Sequence, residues 1–289
     1  MTPNMKWLTF EHAGKIRHGY LAGDDVVVTG DGDLADVVAG IAPREEVTRV
    51  PADNVRILAP LLRPGKIAAV AANYQSHVVE GGGKERDKTT ATPRLFLKPD
   101  TSIIGHEATV ELDPITSALD WEVELAIVIG RTARRICEGD ALDHVFGYAT
   151  SNDISARSLE LGEERDAAAA GKFFTWLEGK WLDGSAPLGP YVVSKDEIPD
   201  PQNLPLTLRV NDELRQSGNT SEMIHSVAEL IAFASRLMTL NPGDLILTGT
   251  PAGVGATTGE FLDPGDVMVA EVEGLGALRT PVVAHQTSH

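Results

Sequence analysis

The stretch from Leu119 to Gly130, LDWEVELAIVIG, constrains this chain more than any other. Its alternation predicts a strand: Trp121, Val123, Leu125, Ile127 and Ile129 fall on one side, and Glu122, Glu124, Ala126 and Val128 on the other. Residues two apart on a strand share a face at a spacing of about 6.5–7 Å. Glu122 and Glu124 therefore project together from a segment that otherwise looks like core. Two like charges on an apolar strand repel and resist desolvation. A divalent cation would compensate them, and an edge strand with one solvated face would also accommodate them.

At 289 residues the chain can bury one large domain and a small one. It carries 25 basic against 42 acidic residues, a net charge of −17, which argues against nucleic acid or an anionic membrane surface as a partner. Cys137 is the one cysteine, so no intrachain disulfide can form, as suits a reducing interior. No apolar targeting segment opens the sequence and no run approaches a membrane span, so the expectation is a soluble cytoplasmic protein.

Residues 1–60 read as a small domain, a β meander around Lys6–Glu11, Lys15–Leu21 and Asp25–Val28 with a helix over Asp33–Ile41. The main domain, 65–285, begins with a buried strand at Lys66–Ala71. His77 and Glu80 follow at i and i+3, where one helical turn gives them a common face. A carboxylate beside an imidazole orients it as a general base; a surface turn with an incidental pair would read the same. The polar, Gly-rich segment from Gly81 to Thr92 has the composition of a lid or of a plain surface loop. Lys98 lies in a short strand, directed into a site or into solvent, and Asp153 sits where an Asx turn or a metal ligand would serve. Ile224–Leu240 carries a helical apolar stripe, stopped at Asn241-Pro242-Gly243-Asp244. The strand Leu245–Leu247 runs into Thr248–Gly255, whose hydroxyls and backbone N–H groups suit a carboxylate or phosphate. Without a Walker A lysine or a strand–GxGxxG–helix unit, nucleotide binding is not expected.

Taken together, Asn73-Tyr74-x-x-His77-x-x-Glu80, Phe96-x-Lys98-Pro99, Glu122-x-Glu124-Leu125, Asn152-Asp153-Ile154-Ser155-Ala156-Arg157, Gly179-Lys180-x-x-Asp183, Pro187-Leu188-Gly189-Pro190, Val210-Asn211, Pro242-Gly243-Asp244 and Thr248-Gly249-Thr250-Pro251-x-Gly253-Val254-Gly255 resemble the fumarylacetoacetate hydrolase superfamily, short bacterial type. The pieces occur in the family's order over roughly residues 65–275. The resemblance implies an α+β, mainly β fold, a mixed β-sandwich roll with a small N-terminal α/β domain, and a homodimer. It implies Mg2+ (or Mn2+) held by Glu122, Glu124 and Asp153; all-oxygen ligands fit a hard cation. Lys180 would balance the residual charge and hold a substrate oxygen. His77 and Glu80 match the family's acid–base pair, and Tyr74, Lys98, Thr250 and Gly249 would contact substrate.

The expected substrate is a small 2-oxo or 2,4-dioxo acid. The leading expectation is metal-dependent hydrolysis of a C–C bond in an acylpyruvate or fumarylpyruvate, with His77 activating water. The same site would serve isomerisation of 2-hydroxyhepta-2,4-diene-1,7-dioate or 5-carboxymethyl-2-hydroxymuconate, or decarboxylation of oxaloacetate. A metal-stabilised binding protein without turnover is the alternative from another class. Two departures stand out: the segment after Arg157, SLELGEERDAAAAGKFFTWLEG, differs from the family's usual pocket-lining stretch, and Asp212 stands where glycine is common.

Overall fold

A computed structural model describes residues 5–42, 44–162 and 169–286. It is mainly β, with short helices, as the motifs led us to expect. The strands that matter here are β1 (Lys6–His12), β2 (Lys15–Ala22), β3 (Asp25–Asp31), β4 (Thr48–Pro51), β5 (Ile67–Ala71), β6 (Arg94–Lys98), β7 (Val123–Ile129), β8 (Val145–Asn152), β9 (Ala186–Ser194), β10 (Pro205–Val210), β11 (Glu213–Asn219), β12 (Leu245–Leu247), β13 (Val267–Val272) and β14 (Gly276–Ala284). The helices are α1 (Ala35–Val38), α2 (Gln75–Glu80), α3 (Ala169–Glu178) and α4 (Val227–Leu237).

Among the described residues, twelve strands make one mixed sheet in the order β4-β3-β2-β1-β9-β8-β7-β12-β5-β6, with two further short strands beside β1 and β9. A second sheet runs β11-β10-β13-β14 and ends on Val110–Leu112. The first sixty residues do not form a sheet of their own: β1 pairs with β9, Lys6 opposite Val193 and Trp7 opposite Val192.

β7 lies in the middle of the large sheet, antiparallel to β8 on one side and β12 on the other. That position removes the solvated-edge reading of the Glu pair, because all seven residues of β7 are buried. Val123, Leu125, Ile127 and Ile129 enter the core between the two sheets with Leu206, Leu208, Met268 and Ala270. Ala126 and Val128 face a second cluster with Trp7, Leu34, Val37, Leu61 and Leu247, so α1 covers the opposite face. The side of β7 that carries Glu124 is therefore apolar until it reaches the polar end of the strand.

α4 is shorter than the apolar stripe. Ser226 caps it, its hydroxyl accepting from the Glu229 N–H at 3.2 Å while Glu229 accepts from the Ser226 N–H at 2.6 Å. Ile224 instead docks on the dyad segment, donating to Asn73 O at 2.7 Å. α1 is likewise shorter than expected, because Asp33 accepts from the Leu62 N–H as well as from Ala35. The β10–β11 turn uses Asn211 and Asp212 at φ 50° and 66°. This left-handed pair is where glycine is usual, and Arg209 donates to the Asp212 carbonyl across it. No helix among the described residues is long and apolar enough to cross a membrane.

Candidate active site

Backbone contacts first bring two segments together. The Asp153 N–H donates to Glu122 O at 2.8 Å, and the Asn152 amide oxygen accepts from the Glu122 N–H at 2.8 Å. Gln216, from β11, accepts from the Val123 N–H at 2.9 Å. These bonds hold the chain where β7 begins and place ligand oxygens of Glu122, Glu124 and Asp153 within 4.8 Å of one another, all buried. Three carboxylates gathered in the interior require compensation.

Three cations supply it. Lys180 Nζ donates to Glu122 Oε2 at 2.8 Å and to Asp153 Oδ2 at 2.7 Å, and lies 5.6 Å from the centre of the Phe96 ring. Arg157 spans Asp120, at 2.8 Å, and Glu122. Lys98 sits 2.8 Å from Asp153 Oδ1, an ion pair without hydrogen-bond geometry, and donates to Ser185 Oγ at 3.0 Å and to Lys180 O. Lys180 follows the end of α3, and Gly179 before it has no room for a side chain: a Cβ there would lie 2.2 Å from Ala156 O.

Asp120, Glu122 and Asp153 thus balance Arg157, Lys180 and Lys98, and Glu124 is the odd acid. Burial opposes ionisation of Glu122, but Lys180 and Arg157 outweigh it and hold its carboxyl down at about 2. Glu124 goes the other way, pushed well above the usual range by burial and by the charges of Asp153 and Glu122. Burial pushes Lys98 down, only partly offset by Asp153; for Lys180 the attraction of Asp153 and Glu122 prevails over burial and raises it. A dication taking the place of the Glu124 proton would leave the cluster one positive charge in excess, suited to an anionic ligand. Oxygen-only donors, close together and buried, fit a hard divalent cation.

The acid–base pair stands on α2. His77 Nδ1 lies 2.9 Å from Glu80 Oε1, while Glu80 Oε2 accepts from the Gly253 N–H at 2.8 Å and from Thr257 Oγ at 3.1 Å. Burial is outweighed by these bonds, led by His77, so the Glu80 carboxyl is held below its ordinary value. With Nδ1 engaged, Nε2 is the ring nitrogen left for the cavity. That cavity, about 350 Å³, is lined by His77, Glu122, Asp153, Lys180, Arg157 and Thr250 among others. The segment after α2 is strapped down: Gln75 and Arg86 exchange hydrogen bonds at 2.5 and 3.0 Å, Arg86 donates to Ala72 O, and Lys88 to Met223 O.

Of the four residues expected to contact substrate, Thr250 lines the cavity and Tyr74, Lys98 and Gly249 do not. Tyr74 lies in the hydrophobic core, its buried hydroxyl without a partner, and does not line the cavity. Lys98 serves Asp153 from beneath. The Gly249 N–H is committed to Glu124 Oε2 at 2.6 Å, leaving it no donor for substrate. Thr250 lines the cavity, but its hydroxyl donates to Val123 O and accepts from Gln216, both at 2.8 Å. The sequence reading gave no role to Arg157, Arg94, Gln216 or Phe96. In the unusual segment after Arg157, α3 brings Phe173 and Trp176 to the cavity, and residues 163–168 lie outside the described part.

Residues 66–283 match the family model "Fumarylacetoacetate (FAA) hydrolase C-terminal", and residues 5–60 match "Rv2993c-like, N-terminal". The chain is 42% identical over 232 residues to the mitochondrial oxaloacetate tautomerase fahd2 of Xenopus laevis, covering 80% of this chain and 69% of that one. A solved fumarylacetoacetate hydrolase from Exiguobacterium antarcticum superposes with a TM-score of 0.82 at 36% identity, over 97% of this chain and 100% of the other. The 2-hydroxyhepta-2,4-diene-1,7-dioate isomerase of Mycobacterium marinum does so with 0.78 at 30% identity, over 98% and 100%.

Proposed function

Because the chain belongs to the fumarylacetoacetate hydrolase family and is an enzyme of that family, we propose that it catalyses keto–enol proton transfer on a small 2-oxo acid, with oxaloacetate as substrate. The observation that carries this is the single cavity shared by His77, backed by the Glu80 carboxylate, and the Glu122–Asp153–Lys180 cluster. One base and one pole that stabilises an enolate are all the reaction needs. A divalent cation, Mg2+ (or Mn2+), held by Glu122, Glu124 and Asp153 would supply Lewis-acid polarisation of the 2-oxo oxygen.

His77 Nε2 takes a proton from C3, and the C–H electron pair forms the C2=C3 bond as charge develops on the 2-oxo oxygen. Lys180 offers an ammonium to that oxygen, and its stabilisation counts because the charge is greater in the transition state than in the ketone. Glu80 holds the imidazole through Nδ1 and favours its protonated form. Protonation of the oxygen completes the enol; the reverse sequence gives the ketone. Tautomerase and isomerase names among the relatives favour proton transfer over the hydrolysis of a 2,4-dioxo acid, which would also require His77 to direct a water at a distal carbonyl.

Decay of the enol absorbance of oxaloacetate with and without Mg2+ tests this. Acceleration that needs both the metal and His77 is the expected result. Cleavage of an acylpyruvate into two fragments, with no effect on oxaloacetate enol, would overturn it in favour of hydrolysis.

A further inference from the structure

One strand runs from the cavity to the buried charges beneath it. Arg94, Phe96 and Lys98 alternate along β6 and so share a face. Lys98 reaches Asp153 at the buried end, the Phe96 ring lies near Lys180 Nζ, and Arg94 lines the same cavity at the outer end. Four strand residues put about 13 Å between the first and last Cα of that face.

The charges along this face differ in one respect. Lys98, Lys180 and Arg157 are each committed to carboxylates. The Arg94 guanidinium makes no hydrogen bond or ion pair among the described residues, in a chain with 42 acids to 25 bases. Asp87, which borders a neighbouring groove with Arg94, makes no ion pair with it and accepts from Thr89 instead. Arg86 spends its guanidinium on the carbonyls of Ala72 and Thr92, and Lys88 donates to Met223 O. The same cavity also has apolar lining from Leu95, Phe96, Phe173 and Trp176.

We infer that Arg94 is a specificity-determining residue that receives the distal carboxylate of a 2-oxo dicarboxylic acid, while the 2-oxo acid end occupies the Glu122–Asp153–Lys180 pole. The inference rests on the reading above for what lies at the inner end. A guanidinium can take a carboxylate through two parallel N–H donors, which an ammonium cannot reproduce. The apolar lining between the poles suits the methylene or alkene carbons that join the two ends.

The test compares 2-oxoglutarate with 2-oxopentanoate, chains of equal length that differ in the distal carboxylate. Both are titrated calorimetrically into the Mg2+-loaded protein, and exchange of their C3 protons with deuterium is followed by NMR. The wild type is expected to bind the dicarboxylate at least tenfold more tightly. Arg94→Gln should bring the two ligands to near parity by weakening only 2-oxoglutarate, and Arg94→Lys should recover part of the preference. The exposed, unpartnered position means neither variant should change the melting temperature; if Arg94→Gln does, Arg94→Lys decides. A wild type without preference, or an Arg94→Gln variant that keeps it or weakens both ligands equally, overturns the assignment. Loss of preference in Arg94→Gln with no C3 exchange in any form would uphold Arg94 and sink the proton-transfer reading.

Discussion

Glu124 Oε2 accepts a 2.6 Å hydrogen bond from the N–H of Gly249, a residue held at φ 93° by the loop after β12. The loop after β12 thus steadies one of the three gathered carboxylates, while its Thr250 lines the cavity. That bond fixes one of its two oxygens.

Glycine is required there. A Cβ on Gly249 would lie 2.8 Å from the Asn73 Cβ, and the left-handed backbone disfavours any side chain. Gly249→Ala should cost about 1–3 kcal/mol in stability. It should also weaken Mg2+ binding, since the donor to Glu124 moves. Thermal denaturation with and without metal checks both; an unchanged melting temperature and metal affinity would refute this.

Metal binding should release a proton. Burial and the charges of Asp153 and Glu122 raise Glu124, so the metal-free native protein keeps a proton that the unfolded chain loses above about pH 4.3. That contribution is complete below the unfolded value and is lost as pH rises through the folded one. Glu122 runs the opposite way. Its folded value near 2 means a contribution present above the unfolded value and lost as pH falls towards 2. The metal-free melting temperature should therefore decline as pH rises above about 4.3, and Glu124→Gln should flatten that decline. Calorimetry in two buffers of different ionisation enthalpy should show protons leaving on Mg2+ addition to the wild type and none from Glu124→Gln.

Removing the base should spare the metal. His77→Ala is expected to lower kcat by about 10²–10⁴-fold, with the Mg2+ affinity little changed, because the hydrogen bond of His77 goes to Glu80. Glu80→Gln should give a smaller loss in kcat, since the imidazole remains but its anionic partner does not. Steady-state kinetics alongside metal titration separates the two effects.

Arg157 is the cation the core can least spare. It is paired with both Asp120 and Glu122. Arg157→Met would leave two buried carboxylates short of a partner, at a cost of about 3–5 kcal/mol. Arg157→Lys should recover only part of this, because one ammonium cannot span both acids as the guanidinium does. Chemical denaturation of the two variants measures the difference.

Much of the site was readable from local spacing. Period two placed Glu122 and Glu124 on one face, and i to i+3 brought His77 to Glu80, because both are consequences of backbone geometry over a few residues. The apolar stripe likewise announced α4, although capping by Ser226 shortened it.

What the sequence could not decide is which group answers which charge. Lys180 meets Glu122 across 58 residues and Gly249 meets Glu124 across 125, and no periodicity extends that far. Residue type made Lys98, Tyr74, Thr250 and Gly249 all plausible substrate contacts. Packing turned Lys98 onto Asp153, put Tyr74 in the core, and engaged the Thr250 hydroxyl and the Gly249 N–H. The chain by itself determined the strands and the shared faces of Glu122 with Glu124 and of His77 with Glu80, since these follow from side-chain direction along short segments, whereas Asp153 joined the two acids only through the resemblance. Only the tertiary structure separated Lys98, Lys180 and Arg157, neutralised by acids, from Arg94, whose guanidinium meets no acid among the described residues, because a charge is settled by whatever the fold brings within a few ångströms of it.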